Sequence, residues 1–263
     1  MDLIDFICCG LPVWSLAILL PMLFLAGFVD AIGGGGGLIS LPAYLFCGLP
    51  AHVAIGTNKL SSTMGTCIAT AKYALNGYIP WKTAGVSVIA ALIGSSTGAN
   101  LALAASETTL FIFMLIALPF VGFYVLAKKD LKSDKEPLSR KLTVVICLVI
   151  AFCMGVYDGF YGPGTGTFLL LLLTGVARID VFKAAGVTKA INLATNVAAL
   201  VVFLMNGTTL VALGIVGGLA NMCGNYLGAR MFTSKGTAIV RPIILVVLAA
   251  FAIRLICELA GIV

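Results

Sequence analysis

A run of five glycines cannot continue an apolar helix, and this chain breaks an apolar stretch with glycines twice. Residues 27–42 read GFVDAIGGGGGLISLP, and residues 155–168 read GVYDGFYGPGTGTF. Asp30 stands just before the first break and Asp158 holds the matching place before the second. Each glycine in a helix interior costs about 1 kcal/mol relative to alanine, so both stretches unwind. Their surroundings are lipid-like: 61% of the chain is hydrophobic and 10% is charged, against about 25% charged in a soluble domain. In a bilayer, unwound backbone is tolerated only where protein buries it or where it lines a watery cavity. Two such breaks at matching places in two halves point to the substrate site of a secondary transporter.

Other function classes fall away on composition. The net charge of +6 is no nucleic-acid footprint, because the basic residues lie mostly in short loops, where they set topology. The start, MDLIDF, carries Asp2 and Asp5 in place of a basic leader, so the first apolar segment is expected to be retained. Eight cysteines include no Cys-x-x-Cys, and His52 is the single histidine, so no metal and no cofactor is expected. The cysteines read as small apolar fillers in helices. No Walker sequence is present, since Gly166-Thr167-Phe168 lacks the lysine, and ATP-driven pumping by this chain is not expected.

A spanning helix needs about 20 apolar residues. The first half offers 11–31, 53–76, 83–104 and 108–127, with a short apolar piece at 38–48. The second half offers 142–160, 181–205, 209–231 and 238–260, with a short piece at 166–175. Each short piece follows a break and reads as half of a discontinuous helix or a re-entrant arm. The chain therefore divides into a first transmembrane repeat at 1–127, a polar cytoplasmic linker at 128–141 and a second repeat at 142–263. The duplication is visible residue by residue. Asp30 matches Asp158, Gly56 matches Gly186, Lys59 matches Lys189, and Asn76-Gly77 matches Asn206-Gly207. The fold class expected is an all-α integral membrane protein, a polytopic helical bundle of two related, inverted repeats with glycine-broken helices. Inversion follows from the positive-inside rule. It places Lys82, Arg178, Lys183, Arg230, Lys235 and Arg241 in the cytoplasm, and Asp2, Asp5, Glu107 and Glu258 outside, with Arg254 the exception. Parallel halves would move Arg178, Lys183, Arg230 and Lys235 outside.

Polar groups at membrane depth are costly and mark function. At the breaks, backbone N–H groups of Gly34, Gly35 and Gly36, and of Gly162 and Gly164 with the Thr165 hydroxyl, form candidate anion sites at half-helix N-termini. The plain alternative is that these glycines only permit close packing. A second group is Thr57, Asn58 and Lys59, with Ser62 and Thr66, against Thr188, Lys189, Asn192 and Asn196. Lys59, Ser62 and Thr66 follow i, i+3, i+7 spacing, as do Lys189, Asn192 and Asn196, so each set forms one helix stripe. The rival is that both lysines, near their helix starts, snorkel to the interface. Asp30 and Asp158 are candidates for carrying a coupling proton. Their structural alternative is to cap the break or to pair with Lys59 or Lys189. Tyr157 and Tyr161 flank Asp158 and have no counterparts in the first half. Gly94-x-x-x-Gly98 and Gly224-x-x-x-Gly228, extended by Ala90 and Ala220, are close-packing faces, either within the fold or at a homodimer contact.

At residues 33–42 (GGGGGLISLP), 54–60 (AIGTNKL), 156–164 (VYDGFYGPG) and 188–192 (TKAIN) the chain resembles the TauE/SafE family of sulfite and sulfonate exporters. Residues 225–230 (NYLGAR) and Arg241-Pro242 add to the likeness, which runs over nearly the whole chain. The resemblance implies a multi-pass plasma-membrane transporter, in the inner membrane of a Gram-negative cell, moving small anions linked to sulfite, sulfoacetate and related organosulfur compounds. One departure is the second break, which reads GPGTG and so is stiffer and carries a hydroxyl. The expected activity is secondary transport of a small anion such as sulfite, thiosulfate or an organosulfonate, by alternating access between two repeats, with lipid and the anion as partners. Coupling falls to a proton on Asp30 or Asp158, or to the membrane potential alone. The alternatives are an anion-selective channel on the same architecture or a transporter of another small solute. A membrane-embedded enzyme is disfavoured, since no Ser/His/Asp or metal set is evident.

Overall fold

The computed structural model describes residues 11–113, 116 and 138–231. Most of the expected span at 108–127, most of the 128–141 linker, the span at 238–260 and the Arg241-Pro242 pair lie outside the described residues. Every regular element among the described residues is helical.

The elements begin and end where local chemistry dictates. Helix α1 is Trp14–Gly33 and stops at Gly34, whose left-handed φ of 73° lets its N–H donate to the Asp30 carbonyl. Helix α2, Gly37–Phe46, restarts directly after the break. Helix α3, Ala51–Leu75, starts behind Pro50, and the Glu107 carboxylate accepts the Ala51 N–H at 2.8 Å. The same carboxylate lies 2.6 Å from His52 Nδ1, tying the start of α3 to the chain just after α4. Helix α4, Trp81–Ala104, starts behind Pro80. In the second half, α5 is Arg140–Phe160 and α6 is Thr165–Gly175, with Gly164 left-handed at φ 82° before it. Helix α7, Val181–Met205, is capped by Asp180, and α8 is Val211–Arg230. The α3–α4 and α7–α8 turns are the same device. Gly77 and Gly207 are left-handed at φ 72° and 68°, and the next residue donates back to Tyr73 or Phe203.

Five of these helices, α1, α4, α5, α7 and α8, are long and apolar enough to cross a membrane. Helix α3 has the length, at 25 residues, but is not among them. Its Asn58, Lys59, Ser61, Ser62, Thr63, Thr66, Thr70 and Lys72 lower its hydropathy, and it packs against α7, α8, α2 and α1.

The helices matched by the sequence register make matched contacts. Helix α4 packs on α5 and α7, while α8 packs on α1 and α3. Helices α3 and α7 cross in opposite senses. Gly56, near the start of α3, meets the Thr208 carbonyl beyond the end of α7, and Gly186, near the start of α7, meets the Tyr78 carbonyl beyond the end of α3. Helix α5 runs parallel to α4, Gly94 meeting Phe152 and Gly98 meeting Val156, so it starts at the end of the molecule where α3 finishes. Seven of the nine described basic side chains gather there: Lys72, Lys82, Arg140, Lys141, Arg178, Lys183 and Arg230.

The small-residue faces are spent inside the chain. Gly94 and Gly98 lie against the Phe152 and Val156 carbonyls of α5, and Gly224 and Gly228 against the Phe24 and Phe28 carbonyls of α1. The expectation of a homodimer through these four glycines is thereby corrected, because a second copy would have to displace α5 or α1. Gly98→Leu should therefore lower the thermal unfolding midpoint in detergent or abolish folding, since overpacking costs about 1–3 kcal/mol. Gly85→Leu, on an open face of the same helix with nothing within 4 Å, should leave the midpoint near wild type. Equal effects would mean that the α4–α5 contact is not tight.

Candidate functional site

The two breaks meet. Gly34 lies against the Gly166 backbone, and a methyl group on Gly37 would reach within 3.0 Å of Pro163 Cα. The Thr167 hydroxyl closes the contact by donating to the Gly33 carbonyl at 2.8 Å. Only residues without a Cβ allow two unwound segments to approach so closely. A polar cavity opens beside this junction. It is lined by Gly34, Gly36 and Gly37, by Gly162 and Gly166, and by a ring of side chains from α1, α3, α5, α7 and α8.

The charged members of that ring pair across the halves. Lys59 Nζ of α3 donates to Asp158 Oδ2 of α5 at 2.7 Å and to Asn196 Oδ1 of α7 at 3.3 Å. Lys189 Nζ of α7 donates to Asp30 Oδ2 of α1 at 2.9 Å and to the Asp30 backbone carbonyl. Both ammonium groups are buried, with Lys59 1% and Lys189 3% exposed, so neither lysine snorkels. Each lysine is nine residues into its helix, hence about 12 Å from the helix start. Because α3 and α7 run in opposite senses, the two ion pairs lie on either side of the bundle's middle.

The polar stripes face the same space. Asn58, Lys59, Ser62 and Thr66 of α3 and Asn192 and Asn196 of α7 all line the cavity, with Asp30 and Asp158. The remaining candidates do not. Lys189 stands behind the wall, held by Asp30. Gly35 and Gly164 shape the breaks without reaching the cavity, and the Thr165 hydroxyl turns back to the Gly162 carbonyl at 2.7 Å. Thr188, which matches Asn58, is buried away from the cavity with its hydroxyl unpartnered. Thr57 has a structural task, because its hydroxyl accepts the Leu210 N–H at 3.0 Å. The matching place for Leu210 is Pro80, which has no N–H, and the matching place for Thr57 is Val187, which has no acceptor. Donor and acceptor are present together in one half and absent together in the other. Tyr157 does not address Asp158 with its hydroxyl, which donates to the Pro163 carbonyl at 2.7 Å.

Sequence reasoning passed over Asn221. It lines the cavity from α8, donates to the Leu23 carbonyl at 3.2 Å and accepts from Asn225 at 2.8 Å. The repeat register places Ala91 opposite it, so pairing the halves gave no signal there. The available signal was an asparagine pair spaced four apart on an otherwise apolar and glycine-rich helix.

No group of three or more metal-ligating side chains occurs among the described residues. The arrangement is suited to holding a small polar solute. It combines an ammonium, amide and hydroxyl donors, and two carboxylates that balance the lysines. Breaking one buried ion pair strands a charge, at about 3–5 kcal/mol. Lys189→Met should therefore destabilise the folded protein by that order, and Lys189→Met with Asp30→Leu should recover much of the loss. A double-mutant cycle read by thermal unfolding checks this, and additive losses would show that the pair is not coupled.

Comparison with known proteins places the chain. Residues 19–255 match the family described as sulfite exporter TauE/SafE. The chain is similar to "Probable membrane transporter protein ORF9" of a Sinorhizobium species, at 36% identity over 92% of this chain and 93% of that one. It is also similar to a "Probable membrane transporter protein" of Haemophilus influenzae, at 34% identity over 88% of this chain and 90% of that one. A third relative is "Probable membrane transporter protein YfcA" of Escherichia coli K12, at 29% identity over 94% and 91%. No solved structure matches the chain. The chain belongs to the TauE/SafE family, and with its long apolar helices it is a multi-pass membrane transporter and not an enzyme.

Proposed function

We propose that this member of the TauE/SafE family is a secondary transporter of small anions, with sulfur oxyanions such as sulfite, thiosulfate and organosulfonates as the leading class. The observation that carries this reading is the buried cavity where two glycine-broken helices meet beside the Lys59 ammonium and the Asn58, Asn192 and Asn196 side chains. Break N–H groups and half-helix N-termini favour negative charge. A desolvated ammonium among amides suits an oxyanion that accepts several hydrogen bonds at once. The family's sulfite-exporter description supports the substrate class.

The halves at 1–127 and 142–263 act in this reading as inverted repeats around the cavity, joined by the 128–141 linker. The antiparallel crossing of α3 and α7 supports the inversion, and the shared end of the seven basic residues supports a cytoplasmic location for it. Cysteines placed by Lys82→Cys and Arg178→Cys, in a background lacking the native cysteines, should label from the cytoplasmic side only. Gly207→Cys should label from outside. Outside labelling at position 178 would mean parallel halves.

Transport itself is tested in proteoliposomes loaded in turn with sulfite, thiosulfate, sulfoacetate, sulfate and chloride. Saturable flux of a sulfur oxyanion is expected. Lys59→Ala and Asn192→Ala should each cut it by about tenfold or more, as expected for losing a hydrogen bond to a charged group. Lys82→Ala, at an exposed position, should not. Equal effects of all three substitutions would remove the site, and no flux of any anion by folded protein would remove the anion assignment.

A further inference from the structure

The two matched ion pairs are not equivalent. Lys189 is bound at the C-terminal end of α1, where its ammonium holds both the Asp30 carboxylate and the Asp30 backbone carbonyl. A cation at a helix C-terminus satisfies carbonyls that the helix leaves open, so this pair fastens a structural joint. It also stands off the cavity wall on its lysine side. Lys59 has only side-chain acceptors, Asp158 and Asn196, and it lines the cavity. Its ammonium lies over Gly162, where a methyl group would come within 3.0 Å of Nζ. The glycine there keeps open the space into which Lys59 can turn.

The charges close around this difference. Among the described residues the ionisable groups at the cavity and its wall are Lys59 and Lys189, Asp30 and Asp158, two positive and two negative. The empty site is therefore neutral. An anion that takes the Lys59 ammonium leaves one negative charge in excess within a buried site. A buried unpaired charge is costly enough that the group neutralises instead.

Resting on the anion reading above, we propose that Lys59 and Asp158 form an exchange pair. The anion takes Lys59, and Asp158 takes one proton, while Lys189 and Asp30 stay joined. Hydronium from the aqueous side gives its proton to Asp158 Oδ2 and becomes water, so a monovalent anion and a proton enter together as a neutral load. No bond other than that O–H is made or broken. The groups facing Asp158 are Lys59 from α3 and, on its own helix, Tyr157, whose hydroxyl is committed to the Pro163 carbonyl, and the buried Tyr161. Those facing Asp30 are Lys189 from α7 and Tyr73 from α3, whose hydroxyl is committed to the Ala31 carbonyl.

The test is anion affinity against pH, measured by titration calorimetry on the full chain in detergent. Methanesulfonate is the probe, because it is monovalent and does not titrate near neutral pH, so any proton taken up belongs to the protein. Uptake of one proton makes binding tighter at low pH, with affinity falling by up to about tenfold per pH unit as pH rises. Asp158→Asn should flatten that slope and bind more tightly at the high-pH end, whereas the charge-neutral change of Lys189→Gln with Asp30→Asn should keep it. Where single variants fail to fold, two charge-free pairs replace them. Lys59→Gln with Asp158→Asn should lose anion binding, and Lys189→Gln with Asp30→Asn should still bind, at altered affinity, with the slope kept. Binding by wild type without pH dependence, or a slope that survives Asp158→Asn, overturns the exchange pair and leaves the anion site standing. No binding of methanesulfonate by folded wild type overturns the anion reading and the exchange pair together.

Discussion

Two ammonium groups sit in the middle of an apolar bundle, and each is held there by a carboxylate from the other half of the chain. Neither lysine can stay charged in that setting alone, since an unpaired buried charge costs several kcal/mol even after relaxation. Asp158 must therefore be brought to Lys59, and Asp30 to Lys189. That requirement holds the end of α5 within side-chain reach of α3 and the end of α1 within side-chain reach of α7. The glycine breaks follow from the same geometry. Both aspartates lie within a turn of the end of their helix, and the chain must then turn back beside its counterpart in a space that admits no Cβ. Ion pairs and breaks are one assembly, in which the backbone makes room for the charges and the charges fix where the backbone meets.

Much of this was legible beforehand because lipid leaves few choices. Apolar length marked the helices within two to three residues at each end, as with 181–205 for α7, whose bounds are Val181–Met205. Glycine runs marked the breaks, and the repeat register paired Lys59 with Lys189 and Asp30 with Asp158. The register said nothing about which lysine meets which aspartate, because crossed and uncrossed pairing have the same spacing. Only the antiparallel crossing of α3 and α7 decides it. The register also misled where the halves differ. Thr57 reads as a site residue beside Asn58 and Lys59, yet it serves the Leu210 N–H, a need that its counterpart Pro80 does not have. Single residues carry such differences, and spacing does not report them.

A further difference is volumetric. Where α8 crosses α3, Asn221 and Asn225 crowd against Gly65, which has no side chain to resist them. Where α4 crosses α7, Ala91 and Ser95 match the two asparagines, and Thr195 matches Gly65. There the Ser95 hydroxyl donates to the Thr195 carbonyl at 2.6 Å. Large on small in one crossing answers small on large in the other, so both crossings stay packed while only one presents an amide to the cavity. A duplicated chain can thus keep a common frame and still hold an asymmetric solute in one orientation, because close packing constrains each sum of volumes and not each residue.

The tight contacts also bear on which parts can move. Glycines 94, 98, 155 and 159 bind α4 to α5 through backbone, and glycines 27, 224 and 228 do the same for α1 and α8. Each of these contacts joins one half to the other. The two halves of the sequence are interlocked, so they do not rock as separate bodies without breaking contacts that tolerate no slack. Packed interfaces are bistable and not continuously deformable, which favours movement where the contacts are side chain on side chain. The α1–α8 and α4–α5 pairs are the natural rigid units. The α3–α7 crossing between them carries the polar stripes, and each ion pair ties one unit to it: Asp30 of α1 to Lys189, and Asp158 of α5 to Lys59. In the proposed exchange, releasing Lys59 from Asp158 would free the α4–α5 unit while Lys189 and Asp30 keep the α1–α8 unit fastened, which is what opening the cavity to one side at a time requires.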